Sequence, residues 1–193
     1  MPAQGLGFED RALTSAEIRQ IVAQAVDGAA LRGKRVLCII PDSTRTCPMP
    51  EMFRVFCEAV APQASKLDFL IALGTHQPMS EEAINKLLGL APEERRGKYG
   101  RHAVYNHAWD NPDELKLVGT ITEDDTARIS NGLLREAVRV EVNKRLFDYD
   151  VVCIIGPVFP HEVVGFSGGN KYFFPGIAGA EVINFTHWLG ALI

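Results

Sequence analysis

Three short polar segments hold most of the side chains that could do chemistry, and each follows an apolar run. The first is Pro41-Asp42-Ser43-Thr44-Arg45, where an aspartate and an arginine have the spacing of a local ion pair. An arginine held by an aspartate is one way to build a clamp for a carboxylate or a phosphate. The second is Gly74-Thr75-His76-Gln77-Pro78. The third runs from Gly156 to Leu189 and contains His161, Gly165-Phe166-Ser167-Gly168-Gly169-Asn170-Lys171, Pro175-Gly176 and His187. Imidazole suits proton transfer near neutral pH and also binds soft metals. Ser167, Gly168 and Gly169 would let backbone N–H groups come close to an anion. Lys171 offers a cation or, once deprotonated, an amine nucleophile. Taken singly, each of these has a plainer reading: a loop histidine, a surface lysine, a solvated turn.

Familiar motifs fail on specific residues. The stretch ending in Lys171 resembles a phosphate-binding P-loop, but Asn170 stands at its second glycine and Tyr172 at its Ser/Thr. His161-Glu162 is followed by Val163-Val164-Gly165, so the zinc-protease helix motif lacks its second histidine. No Gly-x-Gly-x-x-Gly follows a strand. His102 and His107 lie in or beside a strand-like run and read as structural.

The elements that must position these loops can be read from hydrophobic periodicity. Thr14 and Glu17 have capping-box spacing ahead of a helix expected to stop near Gly33. Arg35–Ile40, Leu67–Leu73 and Val151–Ile155 are short apolar runs of the kind found in buried parallel strands. Met52–Ala61 reads as a helix, and Ser80 caps another. His102–Tyr105, Lys116–Ile121 and the alternating Val138, Val140 and Val142 read as further strands, and Pro175–Gly179 as a turn entering a helix. Strands alternating with helices predict an α/β layered domain, Rossmann-like, with a mostly parallel sheet flanked by helices. In such sheets ligands gather beyond the carboxyl ends of the strands, which predicts that the three polar loops meet there.

The 193 residues fit one domain, and 47% hydrophobic content is enough for a core. A net charge of −4 gives no footprint for nucleic acid. No apolar run is long enough to cross a membrane, and the N-terminus lacks signal-peptide features. The four cysteines, at scattered spacings without a Cys-x-x-Cys pair, read as reduced packing residues of a cytoplasmic protein.

The three loops together resemble the lactate racemase family. Its Asp-x-Thr-Arg segment matches Asp42–Arg45, and its Gly-Thr-His-x-Pro-Met segment matches Gly74–Met79. Its long signature matches Pro160-His161, Gly165–Lys171 and Pro175-Gly176, and a final histidine falls on His187. The resemblance spans about residues 35–190.

The resemblance implies racemisation or epimerisation of a small 2-hydroxyacid. It also implies nickel held by a pyridinium-3,5-bisthiocarboxylic acid mononucleotide, a pincer ligand linked covalently through Lys171. On the same ground, His76 and His161 are the acid/base pair and His187 is the protein ligand to nickel. Arg45 and Asp42 bind substrate, and Thr44, Ser167, Gly168 and Gly169 contact the cofactor. Gln77 stands where many members have arginine, so the identity of the hydroxyacid stays open. Residues 1–193 would be the N-terminal, cofactor-binding domain, with the C-terminal domain absent from this chain, inactive alone and dependent on cofactor-synthesis proteins. A competing reading is a non-catalytic module that binds a nucleotide or anion through Arg45, Gly168 and Lys171.

Overall fold

A computed structural model of the chain describes residues 5–27, 29–161 and 165–192. Its centre is a four-stranded, fully parallel sheet built from β1 (Arg35–Ile40), β2 (Lys66–Ile71), β3 (Val104–Asn106) and β6 (Val151–Ile154), in the order β3-β2-β1-β6. Both β1 and β2 are buried from their second residue onward. That burial explains the unbroken apolar run of β1 and the apolar run of β2, which only Asp68 interrupts, because both faces of the sheet are covered. On one face Val36, Cys38, Ile40, Leu67, Phe69 and Ile71 pack under α1 (Ser15–Asp27), α2 (Met49–Val60) and α3 (Glu81–Leu88). On the other, Leu37, Ile39 and Leu70 meet Tyr172 and Ile177 from the C-terminal part of the chain.

Local signals hold at most element ends. Thr14 and Glu17 form the reciprocal capping pair, with Thr14 N–H donating to Glu17 at 2.8 Å and Glu17 N–H to Thr14 Oγ1 at 3.3 Å. Ser80 caps α3, which ends at Gly89 in the left-handed conformation. The expectation for α1 runs too long: it closes at Asp27, well before Gly33. Ala30 takes a φ of 50° and Leu31 turns into the core, so the chain leaves the helix early to start β1. The short α4 (Pro92–Arg96) follows α3.

The alternating strands belong elsewhere. β4 (Leu115–Ile121) and β5 (Val138–Asn143) form a separate antiparallel pair, with α5 (Glu123–Ile129) between them. Segment 177–179 adds to β5: Asn143 N–H donates to Ile177 O at 2.9 Å, and Gly179 N–H to Glu141 O at 2.9 Å. From there α6 (Ala180–Leu192) packs Val182, Ile183 and Phe185 against Val138, giving this unit its own small core. A two-residue hairpin, β7 (Pro160–His161) with β8 (Gly165–Phe166), completes the fold; residues 162–164 of the failed zinc-protease motif lie outside the described residues.

The acid buried in the sheet is fully paired. Asp68, fully buried in β2, accepts from Ala103 N–H at 2.8 Å and Tyr149 Oη at 2.6 Å, and pairs with Lys66 at 2.9 Å. Burial, then that carboxylate, pushes the Tyr149 hydroxyl well above its usual range. All four cysteines are free, and burial raises the Cys38 thiol and pushes that of Cys57 up to about 12.

His102 and His107 are indeed structural. His102 Nδ1 lies 2.7 Å from Leu67 O. His107 Nε2 donates to Ala178 O at 2.8 Å while Nδ1 accepts from Asn143 Nδ2 at 3.1 Å, so a neutral ring satisfies both partners.

Burial, the larger influence, holds both imidazoles below their ordinary 6.5 despite the backbone carbonyl each meets. The unfolded chain therefore binds more protons below that pH, and stability present above it is lost as the pH falls through and below 6.5. Urea unfolding at pH 7.5 and pH 5 should show a lower midpoint at pH 5. His107→Gln should flatten that dependence while costing about 1–3 kcal/mol at neutral pH.

Candidate active site

A parallel sheet sets all its strand ends on one edge, and the chain uses that edge. From β1 the chain steps outward to β2 and β3, then returns to place β6 on the other side of β1. The loops after β1 and β6 therefore diverge, which opens a crevice at the switch point. There the structure has a cleft of about 480 Å³. Its walls include Asp42 and Arg45 from the loop after β1, and His76 from the loop after β2. The segment after β6 supplies His161, Ser167, Gly168 and Lys171, and α6 supplies His187. Ile183, also on the wall, is one turn before His187, and that spacing sets both on one helix face.

Asp42 is the best-anchored of these groups. It is buried at 5% exposure, and its Oδ1 accepts from Thr44 N–H at 3.1 Å and Thr44 Oγ1 at 2.6 Å. Its Oδ2 is 2.5 Å from Nδ1 of His76. Burial pushes this carboxyl up, but the bonds from Thr44 and His76 outweigh it and hold it below the ordinary carboxylate range. An ionised carboxylate only accepts, so the proton of this bond sits on Nδ1 of His76. The local pairing of Asp42 with Arg45 read from the sequence is thereby replaced: His76, 34 residues away, takes the carboxylate. Arg45 stays on the cleft wall, exposed to ligand. Thr44 is exposed and acts through Asp42.

The glycine-rich segment departs from the expected anion cradle at one residue. Ser167 N–H donates to Phe159 O at 2.8 Å, and its hydroxyl accepts from Phe159 N–H at 3.0 Å, extending the β7–β8 hairpin. Ser167 therefore shapes the loop with both groups. Gly168 lies on the cleft, and Gly169 on an adjoining groove with Phe166 and Phe174. Gly168 has a φ of +83°, and a Cβ there would meet Pro157 O at 2.7 Å, so only glycine fits. A 3₁₀ turn over Gly169–Tyr172 then swings Lys171 back to the hairpin, where Nζ lies 2.5 Å from Nε2 of His161. Tyr172 beside it is buried against the sheet, so close to Gly156 that any Cβ there would strike its hydroxyl.

Among the described residues no three His, Cys, Asp or Glu side chains converge as metal ligands. Among the described residues the cleft therefore offers a metal fewer than three such donors, and any others would have to come with the metal's own ligand.

Residues 9–192 match the family model described as the lactate racemase N-terminal domain. The chain belongs to the lactate racemase family. It is 31% identical over 162 residues to a lactate racemase of Lactiplantibacillus plantarum, and 27% identical over 161 residues to that of Thermoanaerobacterium thermosaccharolyticum. These alignments take in 81% and 80% of this chain but only 33% and 32% of the relatives, so the chain spans about a third of their length. A crystallised protein from Thermotoga maritima superposes with a TM-score of 0.83 at 32% identity, covering 96% of this chain and 43% of that one. The lactate racemase apoprotein of T. thermosaccharolyticum shares the fold, with a TM-score of 0.67 at 20% identity over 88% of this chain and 38% of its own.

The Asp42–His76 bond makes a specific prediction. In ¹⁵N NMR spectra near neutral pH, His76 should show the Nδ1–H tautomer; in Asp42→Asn that preference should weaken while the fold stays intact. An unchanged tautomer would show that Asp42 does not set the ring.

Proposed function

We propose that this chain is the cofactor-carrying part of a 2-hydroxyacid racemase or epimerase, with the substrate bound in the cleft at the β1/β6 switch point. The observation that supports this most directly is the convergence of two imidazoles, His76 and His161, on one cleft with a lysine and an arginine. When bound, the nickel-pincer pyridinium nucleotide supplies a hydride acceptor that later returns the hydride. Direct removal of the α-proton would put a second negative charge beside the carboxylate, whereas hydride loss with deprotonation of the hydroxyl passes through a neutral ketone.

Each residue then has a task that its surroundings allow. Arg45 pairs with the substrate carboxylate. His76, oriented by Asp42, takes or returns the hydroxyl proton through Nε2 for one enantiomer, and His161 does so for the other, because the hydroxyl approaches from a different direction. Lys171 anchors the nucleotide and Gly168 lets it lie close to the backbone, with Gly169 and the Ser167 loop beside it; Thr44 serves by bracing Asp42. His187 would be the residue of this chain that holds the cofactor's nickel.

Phe159 and Phe174 line the cleft, Val158 and Phe166 the adjoining groove, and all four are exposed. We infer that a second domain closes over this rim to keep water from the ketone, so the chain alone does not turn over substrate. The setting we assign is the cytoplasm, where cofactor-synthesis proteins would load the site; no described helix is long and apolar enough to cross a membrane.

Co-expression with cofactor-synthesis proteins, then intact mass and metal analysis, tests the reading. A mass adduct should form and disappear in Lys171→Ala. Nickel should fall far more in His187→Ala than in His76→Ala or His161→Ala. An unmodified, nickel-free protein that still binds nucleotide would favour the simple binding module. For turnover, this chain loaded with cofactor should leave D- and L-hydroxyacids unmixed by chiral chromatography, where a full-length relative interconverts them.

A further inference from the structure

Lys171 and His161 are each accounted for separately in the proposed reaction, yet the structure puts them in direct contact. Nζ and Nε2 are 2.5 Å apart, in a part-buried pair on the cleft wall. With Lys171 as an ammonium, which has three donors and no acceptor, the imidazole nitrogen is the acceptor at this contact. The hairpin fixes one partner: His161 pairs across β7–β8 with Gly165. The 3₁₀ turn fixes the other, with Lys171 N–H donating to Gly168 O at 3.0 Å and Tyr172 buried next to it. An imidazole is thus held against the lysine that, among the described residues, lines the cleft.

We propose that His161 is the general base that makes Lys171 a nucleophile, so that the chain catalyses acylation of its own lysine. The natural donor, if Lys171 anchors the nucleotide as proposed above, is an aromatic thiocarboxylic acid. The amine forms a C–N bond to the thiocarboxyl carbon while the C=O electron pair moves onto oxygen. The C–O bond then breaks, leaving a thioamide. Two protons leave the lysine ammonium and depart with that oxygen as water, at least one relayed through Nε2 of His161. No electrons change hands.

The site suits this transfer. Passing a proton from ammonium to imidazole moves a positive charge without creating a new one, so a part-buried setting does not oppose it. The attacking nitrogen also becomes strongly acidic as the C–N bond forms, which makes the transfer to imidazole downhill. Once acylated, the lysine is uncharged and no longer a base. His161 can then release it and take up the proton-transfer role in the racemase reaction.

A small activated ester, N-hydroxysuccinimidyl acetate, probes the pair without cofactor. Peptide mapping after brief labelling at pH 7 should show Lys171 acetylated at least ~10-fold faster than exposed Lys34. The Lys171 rate should already be high at neutral pH, whereas the Lys34 rate should start low and climb as the pH is raised. His161→Gln should bring Lys171 to the Lys34 rate and pH profile, and added imidazole should restore reactivity to His161→Ala. If a variant fails to fold, the wild-type comparison of Lys171 with Lys34 decides alone. Equal rates and profiles for the two lysines in the wild type, or fast labelling that persists in His161→Gln, would overturn the proposal. Fast, His161-dependent labelling with no adduct from cofactor-producing cells would sustain the base assignment and remove the cofactor reading instead.

Discussion

Parallel strands must all point the same way, and that constraint organises everything that follows in this protein. The carboxyl ends of β1, β2 and β6 share one edge, so each loop leaving those ends projects into the same space. Because β6 is laid down on the far side of β1, the loops after these two neighbours part and leave a crevice. Residues 42, 76 and 161 are remote in sequence, and only this topology brings them to one wall.

Inside the crevice, two imidazoles are held by different means. His76 is bonded through Nδ1 to a buried carboxylate that is itself braced by Thr44. His161 sits on a hairpin strand with its Nε2 against Lys171. The two rings are therefore held differently: the first by a buried carboxylate at Nδ1, the second by a lysine at Nε2.

Much of this was legible in the sequence, for identifiable reasons. Unbroken apolar runs at Arg35–Ile40 and Val151–Ile155 can be satisfied only by burial on both faces, which points to parallel strands. Capping residues Thr14 and Ser80 mark helix starts by local chemistry. What escaped depended on distant partners. Alternation in Val138–Asn143 reveals a strand with one wet face, but not that it pairs with Leu115–Ile121 outside the main sheet. Asp42 and Arg45 are close in sequence, so a local pair was the natural reading; His76 won because β1 and β2 are adjacent and in register. Ser167 looked like part of an anion cradle, yet its groups were spent on Phe159, eight residues back. The Lys171–His161 contact needs both a hairpin and a 3₁₀ turn, and spacing alone shows neither.

The third small core also matters for the site itself. α6, which carries His187, rests on β5 with its own cluster of Val138, Ala178, Val182, Ile183 and Phe185. It is tied to the central sheet through the 177–179 segment and the His107–Ala178 bond. Ile183 belongs to that cluster and also lines the cleft, so the packing under α6 sets the position of the His187 wall, whereas Asp42 and His76 leave from strands packed in the main core.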